Sequence, residues 1–138
     1  MTDCVFCKIV AGEIPAGRIY EDETCLAIMD AGHVNPGHSL VIVKRHAATL
    51  MDLDEKTAGH AFAIAGRIAK ALERTFKPDG MTVLQANRPA GWQTVPHVHL
   101  HVLPRHKDDG VGLTWPAKNP GAEALNETAA TLRAALAG

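Results

Sequence analysis

The chain has no block of basic residues: 14 Lys and Arg stand against 15 Asp and Glu, for a formal charge of −1. Nothing in that balance points to nucleic acid, which is bound through clustered cations. No apolar run approaches the roughly 20 residues of a membrane span, and Met1-Thr2-Asp3-Cys4 lacks the charged and apolar regions of a secretion signal. The expectation is a cytoplasmic protein with no membrane partner. Cysteine is scarce, with three residues in all. Without an export signal, so few argue against a disulfide framework and leave a metal or redox reading for Cys4 and Cys7. There is no internal repeat and no low-complexity tract.

What is present is one domain's worth of chain. The 138 residues, 46% of them hydrophobic, suffice for a single core. One domain is therefore expected over 1–138, with a core over 1–105 and a tail and helix over 106–138. Its most informative stretch is His97-Val98-His99-Leu100-His101-Val102-Leu103, read as one strand bracketed by Pro96 and Pro104. Side chains of a strand alternate faces, so His97, His99 and His101 are expected on one face and Val98, Leu100 and Val102 on the other. Read alone, such a strand is also compatible with a surface or metal-binding role.

Cys4-Val5-Phe6-Cys7 has the spacing by which two thiolates reach one metal, although zinc, redox and packed-thiol readings compete. No second C-x-x-C follows, so a zinc site needs two distant ligands, with His46 and His97 as candidates. Arg18 to Glu21 and Cys25 to Asp30, linked by Asp22-Glu23-Thr24, read as a hairpin, and Asp30 reads equally as a turn-capping acid. Asn35-Pro36-Gly37-His38 is a turn, and Ser39 to Val43 reads as a strand buried on both faces. Asp52-Leu53-Asp54-Glu55 resembles a capping box opening a helix over 52–76, with Phe62, Ala65, Ala69, Leu72 and Phe76 as its apolar stripe. Lys77-Pro78-Asp79-Gly80 ends it; His60 receives no role. Met81 to Ala86 is the fourth strand, and 87–96 a loop feeding the histidines. Leu125, Ala129, Leu132 and Leu136 have helical spacing, for a helix packed either on its own subunit or across a dimer.

The pattern His-apolar-His-apolar-His-apolar-apolar, together with the loop Asn87 to Pro96, the segment Asn35 to His38 and the opening Cys4 to Ala16, resembles the histidine triad family of nucleotide hydrolases and transferases. The resemblance implies an α+β fold with about five antiparallel strands, one main helix and a homodimer. It implies that His99 attacks the α-phosphorus of an AMP conjugate, with His97 and His101 as the flanking triad members and His38 orienting them from behind. By the same resemblance Gln93 and Thr94 bond the phosphate oxygens and leaving group, Asn87 reaches the nucleotide and Asp30 takes the ribose hydroxyls. Val5, Phe6, Ile9 and Ile28 wall the adenine. A metal-binding branch carries ligands matching Cys4, Cys7, His46 and His97, which implies a structural zinc. Gly91 would let backbone approach the ligand. Trp92 departs from the glycine frequent at its position and leaves the leaving-group pocket open as a question. Trp115-Pro116 is similar to a segment that, in the Hint branch, reaches the partner's active site.

Imidazole suits this chemistry because, with an ordinary pKa near 6.5, it is nucleophilic at neutral pH without prior deprotonation. The expected activity is hydrolysis of purine nucleoside phosphoramidates or related AMP conjugates through a nucleotidyl-histidine at His99. Dinucleoside polyphosphate cleavage of the Fhit type is the alternative, beside a nucleotide-binding regulatory module and a zinc redox protein using Cys4 and Cys7.

Overall fold

The computed structural model describes residues 3–138. A short helix α1 (Val5–Val10) precedes the hairpin β1 (Arg18–Glu21) and β2 (Cys25–Met29), then β3 (Ser39–Val43), the long helix α2 (Glu55–Phe76), β4 (Gly80–Gln85), β5 (His99–Arg105) and α3 (Ala122–Ala137). The strands form one antiparallel sheet in the order β1-β2-β3-β5-β4. This is the expected α+β architecture.

Period-two alternation sorts the sheet into two cores. Cys25, Ala27, Val41, Val43, Leu100 and Val102 face α2, whose stripe is Ala61, Ile64, Ala65, Ile68 and Leu72. Leu26, Ile28, Leu40 and Ile42 face the opposite way, toward Phe6 and Ile9 of α1. In β5, Ile42 pairs with His99 and Leu40 with His101, so both imidazoles emerge on the α1 side. The site is therefore built on the face that the long helix leaves open.

Several sequence-based expectations are corrected. The triad strand runs from His99 to Arg105, not His97 to Leu103. His97 sits just ahead of it, and Pro104 lies inside it opposite Met81. A proline is accommodated there because β3 ends its pairing at Val102, leaving β4 as the one neighbouring strand. β2 stops at Met29, and β4 begins and ends one residue earlier than expected. Helix α2 starts at Glu55, capped by Asp54, whose carboxylate accepts the Thr57 N–H at 3.0 Å. Asp52 instead closes a 3₁₀ turn over Leu50–Asp52 by accepting from the Thr49 N–H and hydroxyl. Phe62 and Phe76 are 50% and 43% exposed. The face that meets the sheet carries Ala61 and Ala65, whose small side chains admit close approach. The register of α2 is set by that fit and not by its bulkiest residues.

From Gly112 onward the tail is almost wholly exposed. Leu125, Leu132 and Leu136 of α3 are 57%, 58% and 87% exposed, and Trp115 is exposed as well. Among the described residues no helix is long and apolar enough to cross a membrane.

Candidate active site and metal cluster

His99 is buried, and its Nδ1 lies 2.7 Å from the backbone carbonyl of His97. A carbonyl only accepts, so Nδ1 carries the hydrogen and Nε2 keeps its lone pair. The Phe6 ring meets this imidazole edge-on at 4.8 Å between centroids and fixes its plane. Burial is the main cause that pushes the His99 pKa below the usual imidazole value, so the ring is neutral at physiological pH and its lone pair available.

A second chain of hydrogen bonds sets His101. The Val34 N–H donates to His38 Nδ1 at 3.2 Å, which puts the hydrogen of a neutral His38 on Nε2. That nitrogen is 2.9 Å from His101 Nδ1. His101 Nδ1 thus accepts, and its own hydrogen sits on Nε2. Burial, then the neighbouring His99 and His38, push His101 down to about 4, so it serves as an uncharged N–H donor. Asp30 closes the group, with Oδ2 3.3 Å from His38 Nε2 and 3.8 Å from His101 Nδ1, while Oδ1 accepts the Gly32 N–H.

These groups open into a cavity of about 450 Å³ between α1 and the sheet. Val5, Phe6, Ile9, Ile28 and Asp30 line it with Thr94, His99 and His101. Leu40 and Val95 line it too; nothing in a hydrophobic pattern separates such wall residues from core ones. Asn87 and Gln93 are not among its walls. Asn87 Oδ1 accepts from the Leu50 N–H and from Gln85 Nε2 at 2.7 and 2.9 Å, and its Nδ2 donates to Gln85 Oε1. Gln93 is buried, with Oε1 accepting the Arg88 N–H and Nε2 donating to the Ala48 carbonyl. Both amides brace the loop that carries Thr94. Arg88 and Trp92 in this loop have φ of 65° and 75°, a left-handed backbone uncommon for such residues. Trp92 is 55% exposed, and open space surrounds Gly91.

His97, fully buried, turns away from the other triad members. Its Nε2 donates to the Val43 carbonyl at 2.6 Å, so Nδ1 presents a lone pair. Facing it are Cys4 Sγ at 3.2 Å, Cys7 Sγ at 3.6 Å and His46 Nδ1 at 3.2 Å, with Cys7 Sγ 3.4 Å from His46 Nδ1. All four ligand atoms lie within 4.8 Å of one another. Tetrahedral zinc, with bonds of roughly 2.0–2.3 Å, sets its ligand atoms roughly 3.3–3.8 Å apart. The donor set and spacing fit that ion. Burial and the adjacent Cys4 push the Cys7 thiol up, so a cation is needed to hold that sulfur as a thiolate.

Two polar clusters escaped the sequence reading. Asp109 takes the Arg105 guanidinium at 2.9 Å, the His106 and Val111 N–H groups and Asn35 Nδ2, and these donors hold its carboxyl well below the usual range. His60 lies 2.7 Å from Asp22, which also accepts the Tyr20 hydroxyl. Both clusters join residues distant in sequence, for which the periodicity carries no signal.

A sequence profile of the HIT domain matches residues 11–108. Adenosine 5'-monophosphoramidase HNT1 of Saccharomyces cerevisiae is 37% identical over 136 residues, 98% of this chain and 84% of that protein. Protein hit of Bacillus subtilis is 40% identical over 114 residues, 82% of this chain and 79% of that protein. Among solved structures, a HIT family protein from Bacillus anthracis matches with a TM-score of 0.92 at 38% identity, covering 96% of each chain. A zinc-bound histidine triad family protein from Mycobacterium smegmatis matches at 0.76 and 38% identity, covering 97% of this chain and 98% of that one. With the profile spanning most of its length and the histidines arranged as described, this chain belongs to the HIT-domain family, the histidine triad proteins.

Proposed function

We propose that this protein hydrolyses AMP conjugates, foremost adenosine phosphoramidates, through a nucleotidyl-histidine at His99. The observation that carries the reading is the 2.7 Å hydrogen bond that commits His99 Nδ1 to the His97 carbonyl and leaves the Nε2 lone pair free. In the first step Nε2 bonds to the α-phosphorus and the phosphorus–nitrogen bond breaks, the amine leaving with a proton. Water then attacks the same phosphorus, the Nε2–phosphorus bond breaks, and AMP is released with His99 neutral again. Across both steps one water is consumed for each amine and AMP formed. His101, through its Nε2–H, donates to a phosphoryl oxygen as charge builds there, and such aimed donors are commonly the largest contribution to rate. Thr94 faces the same cavity and serves the leaving nitrogen. Asp30, with Oδ2 beside the cavity, accepts from the ribose, and Phe6, Ile9 and Ile28 cover the purine. Gln93 and Asn87 act by holding the loop in place. The name of the yeast relative agrees with this activity.

Cys4, Cys7, His46 and His97 would hold zinc, whose contribution is to cross-link the start of α1 to the strand bearing the triad. Four protein ligands fill a tetrahedral ion, so its part is structural. The zinc-bound mycobacterial relative supports this assignment. Homodimerisation is also part of the reading. It is supported by the open edge of β4, the exposed Phe62 and the uncovered leucines of α3. Three free cysteines suit the reducing cytoplasm.

The deciding assay is AMP release from adenosine 5'-phosphoramidate by the intact protein and by His99→Ala. Turnover lost in the folded variant supports the mechanism. An inert native protein would redirect the search to dinucleoside polyphosphates.

A further inference from the structure

On the face of the sheet away from His99, a cleft of about 390 Å³ opens between β1 and α2. Its floor is apolar, formed by Ile19, Tyr20, Ile64 and Ile68, and its other walls are Arg67, Lys70 and Arg74. Lys70 and Arg74 follow Arg67 in α2 by three and seven residues, which puts the three cations on one side of the helix over about 10 Å of its length. No wall residue is acidic, and among the described residues none of the three cations forms an ion pair. Glu21 of β1 is engaged by Arg18 and Lys44, and Asp22 by His60. Arg67 is already positioned. Its guanidinium lies over the Tyr20 ring, 4.8 Å from the centroid, with Nη1 3.5 Å from the Tyr20 hydroxyl. That hydroxyl donates to Asp22, whose carboxylate also accepts the Thr24 and Cys25 N–H groups. A guanidinium stacked by its face keeps donors at its edge for the oxygens of an anion.

We infer that this cleft is an anion-binding site, separate from the reactive cavity, for a linear chain of three or more linked phosphates. A cleft whose charges are all of one sign, set on low-dielectric walls, focuses the potential inside it; here the buried Ile64 and Ile68 supply those walls. Cations spread along the helix over such a length suit an extended polyanion, since a single phosphate reaches only some of them. The cluster is too small for an anionic membrane, which is recognised by about four to eight cations. It also lacks the broad basic stripe of a nucleic-acid surface, in a chain of formal charge −1. The cleft lies at the β1 edge of the sheet, so pairing of two copies through β4 leaves it open. Nothing in this site requires the hydrolysis proposed above.

The test is calorimetric titration of the full chain with inorganic triphosphate, without divalent cations and with AMP in excess to occupy the reactive cavity. Arg67→Gln and Arg74→Gln should each weaken binding on the order of 10-fold, as loss of a charge-assisted contact does, and Lys70→Gln about threefold. Arg133→Gln, which removes the same charge from α3, should leave binding unchanged, and inorganic monophosphate should bind at least about 10-fold more weakly than triphosphate. Added salt should weaken the native affinity and flatten the difference between native and Arg67→Gln. All the substituted side chains are exposed, so melting temperatures should stay at the native value. ATP titrated in the same way separates the sources: binding tighter than triphosphate assigns a nucleotide, and equal or weaker binding the inorganic chain, both in support of the site. No binding of triphosphate by the native protein, binding that survives the double variant Arg67→Gln/Arg74→Gln, an equal loss in Arg133→Gln, or monophosphate bound as tightly as triphosphate would overturn it.

Discussion

His99 and His97 are joined through one hydrogen bond, from the imidazole Nδ1–H of the first to the backbone carbonyl of the second, 2.7 Å long. The side chain of His97 points into the cysteine cluster while its carbonyl points at the His99 imidazole. One residue thereby belongs to both sites by different atoms. Replacing the nucleophile should remove activity and leave this scaffold standing. For His99→Ala, kcat for AMP release should fall at least about 10³-fold, as expected when a nucleophile acting with its neighbours is removed. AMP should still bind. Native enzyme quenched in alkaline denaturant, which spares the acid-labile phosphorus–nitrogen bond, should carry an adenylyl group on His99, and inversion of configuration at phosphorus over the full turnover would rule out the covalent route.

Loss of the metal should be felt first in stability. Cys7→Ser, or exhaustive chelation, is expected to lower the melting temperature by roughly 10 °C, corresponding to about 3 kcal/mol for a chain of this size. Well below melting, kcat should stay within about threefold of native, because a closed four-ligand ion offers no site to substrate. Scanning calorimetry alongside metal analysis checks both halves. An unchanged transition after complete zinc removal would contradict the cross-linking role.

Acid should destabilise the site before it reaches the carboxylates. His101 falls from the ordinary 6.5 to about 4 in the folded protein, and burial lowers His38 and His99 in the same direction. Between those two values the unfolded chain binds more protons than the folded one. Stability is therefore full above about pH 6.5 and declines as pH drops toward 4. Urea midpoints measured across this window should show the decline, and His101→Gln should make it shallower. Identical slopes in the two proteins would mean that His101 is not a source of it. Below this window, protonation of Asp109, whose pKa is strongly depressed, adds a separate loss.

Gly37, immediately before His38, has φ of +95°, and a Cβ built there would lie 2.9 Å from Leu72 and Phe76 side-chain atoms of α2. Gly37→Ala combines a left-handed backbone with that crowding, at a cost of about 1–3 kcal/mol. The turn aims His38 at His101, so kcat should drop together with the denaturation midpoint. A variant as stable and as active as native would show that the turn has room to relax.

The histidines, the C-x-x-C and the strand pattern were legible because each is a local regularity: a period of two, a fixed spacing, a turn marked by Pro36-Gly37. Placement of His97 beside Cys4 was legible only through family resemblance, since the contact spans 93 residues. Phe62 misleads because hydrophobicity alone does not tell which of two adjacent helix faces meets the sheet, and Ala61 and Ala65 win by being small. Where the amides of Asn87 and Gln93 point was not legible, because an amide pairs with whichever partners the fold brings nearest, here Gln85 and Leu50 for Asn87 and Arg88 and Ala48 for the buried Gln93. Of the neighbours Asp108 and Asp109, only the second is buried on Arg105. That choice depends on Asn35, 74 residues away.

The strand order carries a further consequence, one of timing. β5 is the last strand in sequence but lies between β3 and β4, and it can enter only when a long loop from β3 has closed, which is the slow part of forming distant strand pairs. Both His99 and His101 arrive with it. An incomplete chain emerging during synthesis therefore holds the α1 and β2 walls of the cavity without its histidines, and under the proposed mechanism activity would switch on at the same event that completes the sheet.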